Sequence, residues 1–148
     1  MASLPVTRIE IGTRREHPDP RGEEIARAVR SILGIRVDRV RTRDVYRIEA
    51  NLHPGEAERL LHEFADPVLH VGALGRLEDG SFDAAVTVAY KPGVTDPVGK
   101  SARVAVADTL GREIGEDAAV YTSTLYLLDG VAPAQAERMG GGGHLADL

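Results

Sequence analysis

The stretch YKPGVTDPVG, Tyr90 to Gly99, decides how this chain is organised. It follows the alternating segment AAVTVAY and precedes SARVAVADTL, whose spacing is compatible with a helix. Pro92-Gly93 is typical of a tight turn, because proline presets φ and glycine permits a positive φ. Asp96-Pro97 predicts a helix start, with Asp96 as N-cap and proline at the first helical position. The stretch therefore predicts a strand, a tight loop and a capped helix.

The same helix start occurs earlier, at Asp19-Pro20 within HPDPRG. Asp96 minus Asp19 is 77, and sliding residues 8–34 onto 85–111 without a gap gives seven identities in 27 positions. They are Asp19/Asp96, Pro20/Pro97, Gly22/Gly99, Ala28/Ala105, Val29/Val106, Leu33/Leu110 and Gly34/Gly111. Tyr46 matches Tyr126 at an offset of 80, and AER at 57–59 matches AER at 136–138 at an offset of 79. Because the identities fall on caps, helix ends and one helix face, they predict an internal repeat.

Periodicity predicts the order β-α-β-β-α-β in each copy. Residues 7–14 alternate as a strand, and the next segment has the apolar face of a helix that Gly34 ends, formed by Ile25, Ala28, Val29, Ile32 and Leu33. Residues 37–42 and 45–50 indicate two strands or one long bent strand. A short helix at 53–64, and a turn with a final strand at 65–74, complete the first copy. We therefore predict an α+β protein with antiparallel sheets.

Two tandem half-domains follow from this repeat, the first at residues 5–76 and the second at 82–148, with residues 77–81 as linker. Together they predict a dimer-like arrangement within one chain. Ala65-Asp66 corresponds to Ala146-Asp147, so we expect the second copy to lack its last strand. The glycine run Gly140 to Gly143 predicts a frayed helix, since each glycine costs about 1 kcal/mol relative to alanine.

Composition bounds the class of protein. Apolar residues make up 43% and charged residues 28% of the 148, which is typical of a globular domain. The absence of cysteine excludes disulfides and thiolate metal sites and suits a reducing cytoplasm. We see no signal peptide and no apolar run long enough to span a membrane. The net charge of −5 argues against nucleic-acid binding, and we interpret the arginine-rich run 36–47 as a solvated strand surface.

The candidate catalytic residues have simpler structural interpretations. Gly93 to Ser101 resembles a phosphate-binding P-loop, but five residues separate its glycines where the motif has four. Asp19 and Asp96 are better explained as caps than as catalytic carboxylates. The five histidines show no close metal-ligand spacing. We therefore predict no catalytic, cofactor-binding or metal residue in this chain.

The segments YKPGVTDPVGKSA, 90–102, and VYTSTLYLLDG, 120–130, resemble the PurS-like region of phosphoribosylformylglycinamidine synthase. This enzyme is the glutamine-dependent amidotransferase of purine biosynthesis. The motif Pro-Gly-Val-x-Asp-x-x-Gly is carried by Pro92, Gly93, Val94, Asp96 and Gly99. The first copy keeps only Asp19 and Gly22 of this motif. The resemblance covers most of residues 6–139, as a small subunit or as the N-terminal domain of a fused synthetase chain.

The resemblance implies a non-catalytic part of an ATP-dependent carbon–nitrogen ligase. Such a module bridges the synthetase and glutaminase, and ATP and magnesium are expected only on the synthetase. We expect Tyr121 and Tyr126, on a predicted strand, to pack across an interface, and we expect an oligomer because the unpaired sheet edge invites another chain. The alternatives are a small nucleotide-binding protein that uses Gly93 to Ser101 and a ligand-sensing regulatory domain.

Overall fold

The computed structural model describes residues 3–91 and 93–141. Its strands and helices alternate along the chain, apart from the consecutive strands β3 and β4. The elements are β1 (Val6–Thr13), α1 (Pro20–Ile32), β2 (Arg39–Glu49), α2 (Glu56–Phe64), β3 (His70–Leu74), β4 (Ala84–Ala89), α3 (Pro97–Leu110), β5 (Ala119–Asp129) and α4 (Pro133–Gly141). The predicted α+β class is confirmed.

All five strands belong to one open antiparallel sheet in the order β3-β1-β2-β5-β4. The antiparallel prediction is confirmed, and strands from both predicted half-domains share this one sheet. The long strands β2 and β5 pair from Arg39 opposite Asp129 to Glu49 opposite Ala119, which joins both halves of the chain. The centre of this pairing is Asp44 opposite Thr124.

The β-α-β-β-α-β order is not observed, because residues 37–42 and 45–50 contribute to the single strand β2, which is the one long strand that the sequence left open as an alternative. Arg43 and Asp44, at the expected break, have no turn-forming glycine or proline beside them. Both residues pair with β1 on one side and with β5 on the other. With a partner on each side, the backbone stays extended through this point.

All four helices pack on one face of the sheet, over two apolar cores. The first core joins α2 and α3 to the sheet, and its fully buried residues include Ile9, Leu60 and Val106. The second joins α1 and α4 to it, around Val29, Leu128 and Met139. Each core therefore uses residues from both predicted half-domains.

The predicted apolar face of α1 is only partly correct. Val29 is fully buried and Ile25 and Leu33 pack at the edge of the second core, but Ile32 is 69% exposed. The buried side of α1 consists of Gly22, Ala26 and Val29, which follow one another at helical spacing. Ile32 lies on the flank of that stripe, at the last residue of the helix.

Residues 75–83, the crossing segment, connect β3 to β4 across the helix-free face of the sheet. Arg43 donates to the carbonyl of Leu77, and Arg41 donates to the carbonyls of Asp79 and Ser81 at 2.7 and 2.8 Å. Glu10 is 1% exposed and pairs with Arg43, which is 5% exposed. The predicted linker, residues 77–81, is therefore part of the crossing segment, which buried charged side chains hold against the sheet.

The predicted loss of a last strand in the second half concerns residues from Gly142 onward, which lie outside the described residues. The helix that was expected to fray at Gly140 is α4, which extends to Gly141, the last described residue. Of the helices in ranges 3–91 and 93–141, none is long and apolar enough to cross a membrane.

Candidate functional site

The start of α1 is fixed to β2 by one carboxylate. Asp19 accepts a hydrogen bond from the Gly22 amide at 3.0 Å, as expected of an N-cap. The same carboxylate accepts the Thr42 amide at 2.7 Å and the Thr42 hydroxyl at 2.9 Å. The predicted capping role of Asp19 is therefore present, and Asp19 also binds a neighbouring strand.

The start of α3 is built in the same way. Asp96 accepts from the Gly99 amide at 2.8 Å, from the Thr122 amide at 2.7 Å and from the Thr122 hydroxyl at 2.9 Å. Burial raises the pKa of Asp96, but these donors from Gly99 and Thr122 outweigh it, so that the pKa lies below its ordinary value. Asp96 is thus an ionised structural acceptor with its lone pairs engaged.

Gly22 and Gly99 bring each helix close to its strand. A Cβ atom at Gly22 would collide with the carbonyl oxygen of Val40, and a Cβ atom at Gly99 would collide with that of Val120. Glycine is needed at both positions for close approach, because neither has a positive φ. These two motif residues therefore set the distance between helix and sheet.

Thr42 and Thr122 complete the two helix starts, although neither was among the site residues predicted from the sequence. The signal was available: Thr42 and Thr122 are identical at the offset of 80 that also relates Tyr46 to Tyr126. In the sheet, Thr42 lies opposite Tyr126 and Tyr46 lies opposite Thr122. The two helix starts thus lie on the central strand pair, on either side of Asp44 and Thr124.

A cleft of about 490 Å³ lies over this strand pair, with residues of both helix starts in its wall. Arg21 of α1 makes two hydrogen bonds to the Asp44 carboxylate, at 3.1 and 3.2 Å. Tyr46 also lines the cleft, and burial raises the pKa of its phenol. Val98 stands in the wall contributed by α3. The cleft offers a neutralised ion pair and a protonated phenol.

A second cleft, of about 470 Å³, lies on the other side of the loop at residues 89–96. It is lined by Lys91, Lys100 and Arg103, and both clefts share Tyr90. Arg103 is engaged, since it donates to the carbonyls of Ala118 and Gly115 at 2.9 and 2.6 Å. This is the place of the P-loop-like stretch, but the Gly99 amide is already bound to Asp96.

Exposed apolar residues lie around the same loop, since Tyr90, Val94 and Tyr121 line the second cleft and Tyr90 and Val98 line the first. Tyr90 is 47%, Val94 55%, Val98 51% and Tyr121 50% exposed. Gly93 forms a turn with φ of 82°, which L side chains rarely adopt. Pro92 lies outside the described residues. We call Tyr90, Val94, Val98 and Tyr121 the apolar corner.

Tyr121 and Tyr126 lie on opposite faces of β5, because they are five residues apart on one strand. Tyr121 projects from the helix-free face and is half exposed. Tyr126 packs at the edge of the core formed with α1 and α4. The two tyrosines therefore do not form one surface.

Two of the described histidines make side-chain hydrogen bonds to backbone groups. His17 is 3.1 Å from the Val68 carbonyl, and His70 accepts from the Asp66 amide at 3.0 Å. In the ranges 3–91 and 93–141, no three His, Asp or Glu side chains are grouped in a way that could hold a metal ion. His144 lies outside these ranges.

Comparison of the chain with protein-family models, with curated proteins and with solved structures gives no significant match.

Proposed function

We propose that this chain is a non-catalytic assembly component of phosphoribosylformylglycinamidine synthase, with two tandem PurS-like copies. Its role is to hold the synthetase and the glutaminase together so that ammonia passes between them in purine biosynthesis. The proposal starts from the motif carried by Gly93, Val94, Asp96 and Gly99. In this role ATP and magnesium belong to the synthetase partner.

The geometry of the two helix starts supports a repeated unit. Asp19 and Asp96 bind a helix amide, a strand amide and a threonine hydroxyl at closely similar distances. The strand pairing is centred on Asp44 and Thr124, which are themselves 80 positions apart. A two-fold rotation about this central pair therefore exchanges β2 with β5. It maps the pair of Arg39 and Asp129 onto the pair of Ala119 and Glu49. This is the arrangement that a two-fold dimer adopts.

The apolar corner is the observation that carries the assembly role. At the corresponding positions of the first half, 77 or 80 residues earlier, the residues are Thr13, His17, Arg21 and Arg41. Three of these are engaged within the chain, since Arg21 pairs with Asp44, Arg41 binds the crossing segment and His17 lies 3.1 Å from the Val68 carbonyl. Exposed apolar groups gathered in one place are typical of protein contact sites. We assign the corner to the contact with the synthetase.

Replacement of an apolar side chain in the corner tests this role. Val94→Asp places a charge in the contact, so we expect loss of the complex with synthetase and glutaminase in sedimentation. The glutamine-dependent rate should fall by about tenfold, as for removal of a well-buried contact, while the ammonia-dependent rate stays unchanged. Val104→Asp is the matched control, because Val104 on α3 is 58% exposed but lies away from the corner. A normal glutamine-dependent rate in a mixture without this chain would overturn the proposal.

Nucleotide binding is a second candidate, because Lys91 and Lys100 line the cleft of about 470 Å³ beside the start of α3. The engaged Gly99 amide and the carboxylate of Asp96 disfavour a phosphate at the helix start itself. Titration with ATP and magnesium separates the two functions. Saturable binding that Lys100→Ala abolishes would favour the nucleotide site, and no binding would leave the assembly role.

A further inference from the structure

We propose that two copies of this chain pair through their β4 strands, antiparallel, to form one continuous sheet. The inference uses the correspondence of β1 with β4, and thus rests on the repeat within the proposed function. β4 lies at the end of the sheet beyond β5. Among the residues that the structure describes, no strand pairs with its outer side.

β1, which corresponds to β4 in the first half, shows that the outer side of such a strand can pair with another strand. β1 pairs with β2 on one side and with β3, antiparallel, on the other. The Gly75 amide donates to the Arg8 carbonyl at 2.7 Å, and the Arg14 amide donates to the Leu69 carbonyl at 2.8 Å. Arg8 and Arg14 therefore direct their backbone groups toward β3. The positions 77 residues later are 85 and 91, so alternate residues from Ala85 onward direct theirs to the open edge of β4.

β4 lacks two features that often protect an edge strand. Its sequence AAVTVA contains no charged residue and no proline. Ala85, Thr87 and Ala89 are exposed, and their small side chains leave room for a neighbouring strand. Its unprotected backbone groups can therefore continue the ladder of the sheet.

The charges at the ends of β4 favour a second copy over an unrelated strand. Asp83 precedes the strand and Lys91 follows it, and both are exposed. A two-fold pairing centred on Thr87 places Ala85 opposite Ala89, and Asp83 opposite Lys91 of the second copy. Cross-strand pairs of opposite charge stabilise a sheet, and the two-fold axis supplies two of them. A second copy necessarily has this spacing, which an unrelated strand shares only by coincidence.

Sedimentation velocity over a range of protein concentration tests the pairing. We expect a concentration-dependent dimer for the 148-residue chain and a monomer for Thr87→Pro at the same concentrations. Proline removes an amide that points to the open edge, so the bonds between β4 and β5 remain and the circular dichroism spectrum is unchanged. Thr87→Val is the matched control, since it keeps the amide and the branched shape, and it should remain a dimer.

A wild-type monomer, or a dimer of folded Thr87→Pro, overturns the proposal. Slow amide exchange at Thr87 in a wild-type monomer would mean that the edge is covered from within the chain.

A charge exchange tests the register without changing the strand itself. Asp83→Lys and Lys91→Glu each place like charges opposite one another twice in a homodimer. We expect each variant to raise the dimer dissociation constant by about tenfold. When equal amounts of the two variants are mixed, both cross pairs are again of opposite sign, so heterodimers should make up clearly more than the half of all dimers that random pairing gives. Asp83 also accepts from the Gly130 amide at 2.6 Å, but that bond lies within one copy and mixing does not restore it.

A heterodimer share of half of all dimers, as random pairing gives, would overturn the proposed pairing. The measurement needs neither synthetase nor glutaminase, so its failure is distinct from failure of the assembly role.

Discussion

Two carboxylates, Asp19 and Asp96, each connect three donors on two elements. A cap of this kind is worth more than an N-cap that binds its own helix alone. Its removal also leaves a strand amide and a threonine hydroxyl in a partly buried place without their acceptor. The role of these residues is therefore to attach a helix start to the sheet.

Asp96→Ala should lower the free energy of unfolding by about 2 kcal/mol, because both the cap and the bonds to Thr122 are lost. Asp19→Ala should have a similar cost through Thr42. Asp108→Ala, at an exposed position near the end of α3, is the control and should change stability by less than about 0.5 kcal/mol. Urea denaturation at neutral pH measures all three. Equal costs at Asp96 and Asp108 would contradict the capping role.

Glu56 predicts a pH dependence of stability. Hydrogen bonds from Arg112, at 2.6 and 3.0 Å, and from the His53 amide lower the pKa of Glu56 from 4.5 to about 2. Since the folded state lowers this pKa, the stabilisation is complete above about pH 4.5 and is lost as the pH falls toward 2. Glu56→Gln removes this contribution, so the difference in unfolding free energy between wild type and variant should narrow below pH 4.5. Glu58→Gln, an exposed change on the same helix, should show no such narrowing in urea titrations at several pH values.

At the scale of elements, the distance between helix and strand depends on two glycines. Gly99→Ala forces the new methyl group against the Val120 carbonyl, so α3 must move away from β5. We expect a loss of about 1–3 kcal/mol in thermal or urea unfolding, as for overpacking of a core. Ser101→Ala, an exposed position on the same helix, should be close to neutral or slightly stabilising. If Gly99→Ala were neutral as well, close approach would not be the reason for glycine.

The elements of this chain were largely predictable, because their signals are local. Asp-Pro at 19–20 and 96–97 marked both long helices, and alternation marked β1 and β4. The single strand β2 was left open against two strands, since its continuity depends on partners on both sides. Ile32 has the right spacing for burial, but the sequence does not reveal that the packing stripe passes through Ala26.

At the scale of the whole molecule, the union of two halves into one sheet was not visible in the sequence. The seam between β2 and β5 consists of backbone hydrogen bonds, which every sequence can make. The cores that α2 shares with α3, and α1 with α4, depend on that seam. The sequence likewise predicted only part of the candidate site. The caps were predicted from local sequence, whereas the clefts and the apolar corner depend on long-range packing.

The crossing segment is held by a buried ion pair, which predicts strong coupling between Glu10 and Arg43. Removal of one partner leaves the other charge in the protein interior, so Glu10→Leu should cost about 3–5 kcal/mol. Glu10 also pairs with Arg8 at 2.9 Å, but the Arg8 side chain is 43% exposed. In the double variant with Arg43→Met no uncompensated charge therefore remains in the interior, and the cost should fall at least 1 kcal/mol below the sum of the single costs.

A double-mutant cycle at Arg47 and Glu49 is the matched control for this coupling. These residues form the same kind of pair on the same sheet face, at 3.2 Å, but the Arg47 side chain is 58% exposed. Their coupling should stay below about 1 kcal/mol. Urea unfolding gives both coupling energies, and hydrogen exchange at residues 75–83 reports whether the segment detaches. Additive costs at Glu10 and Arg43 would show that the segment is held by backbone contacts, because the ion pair would then contribute no coupling of its own.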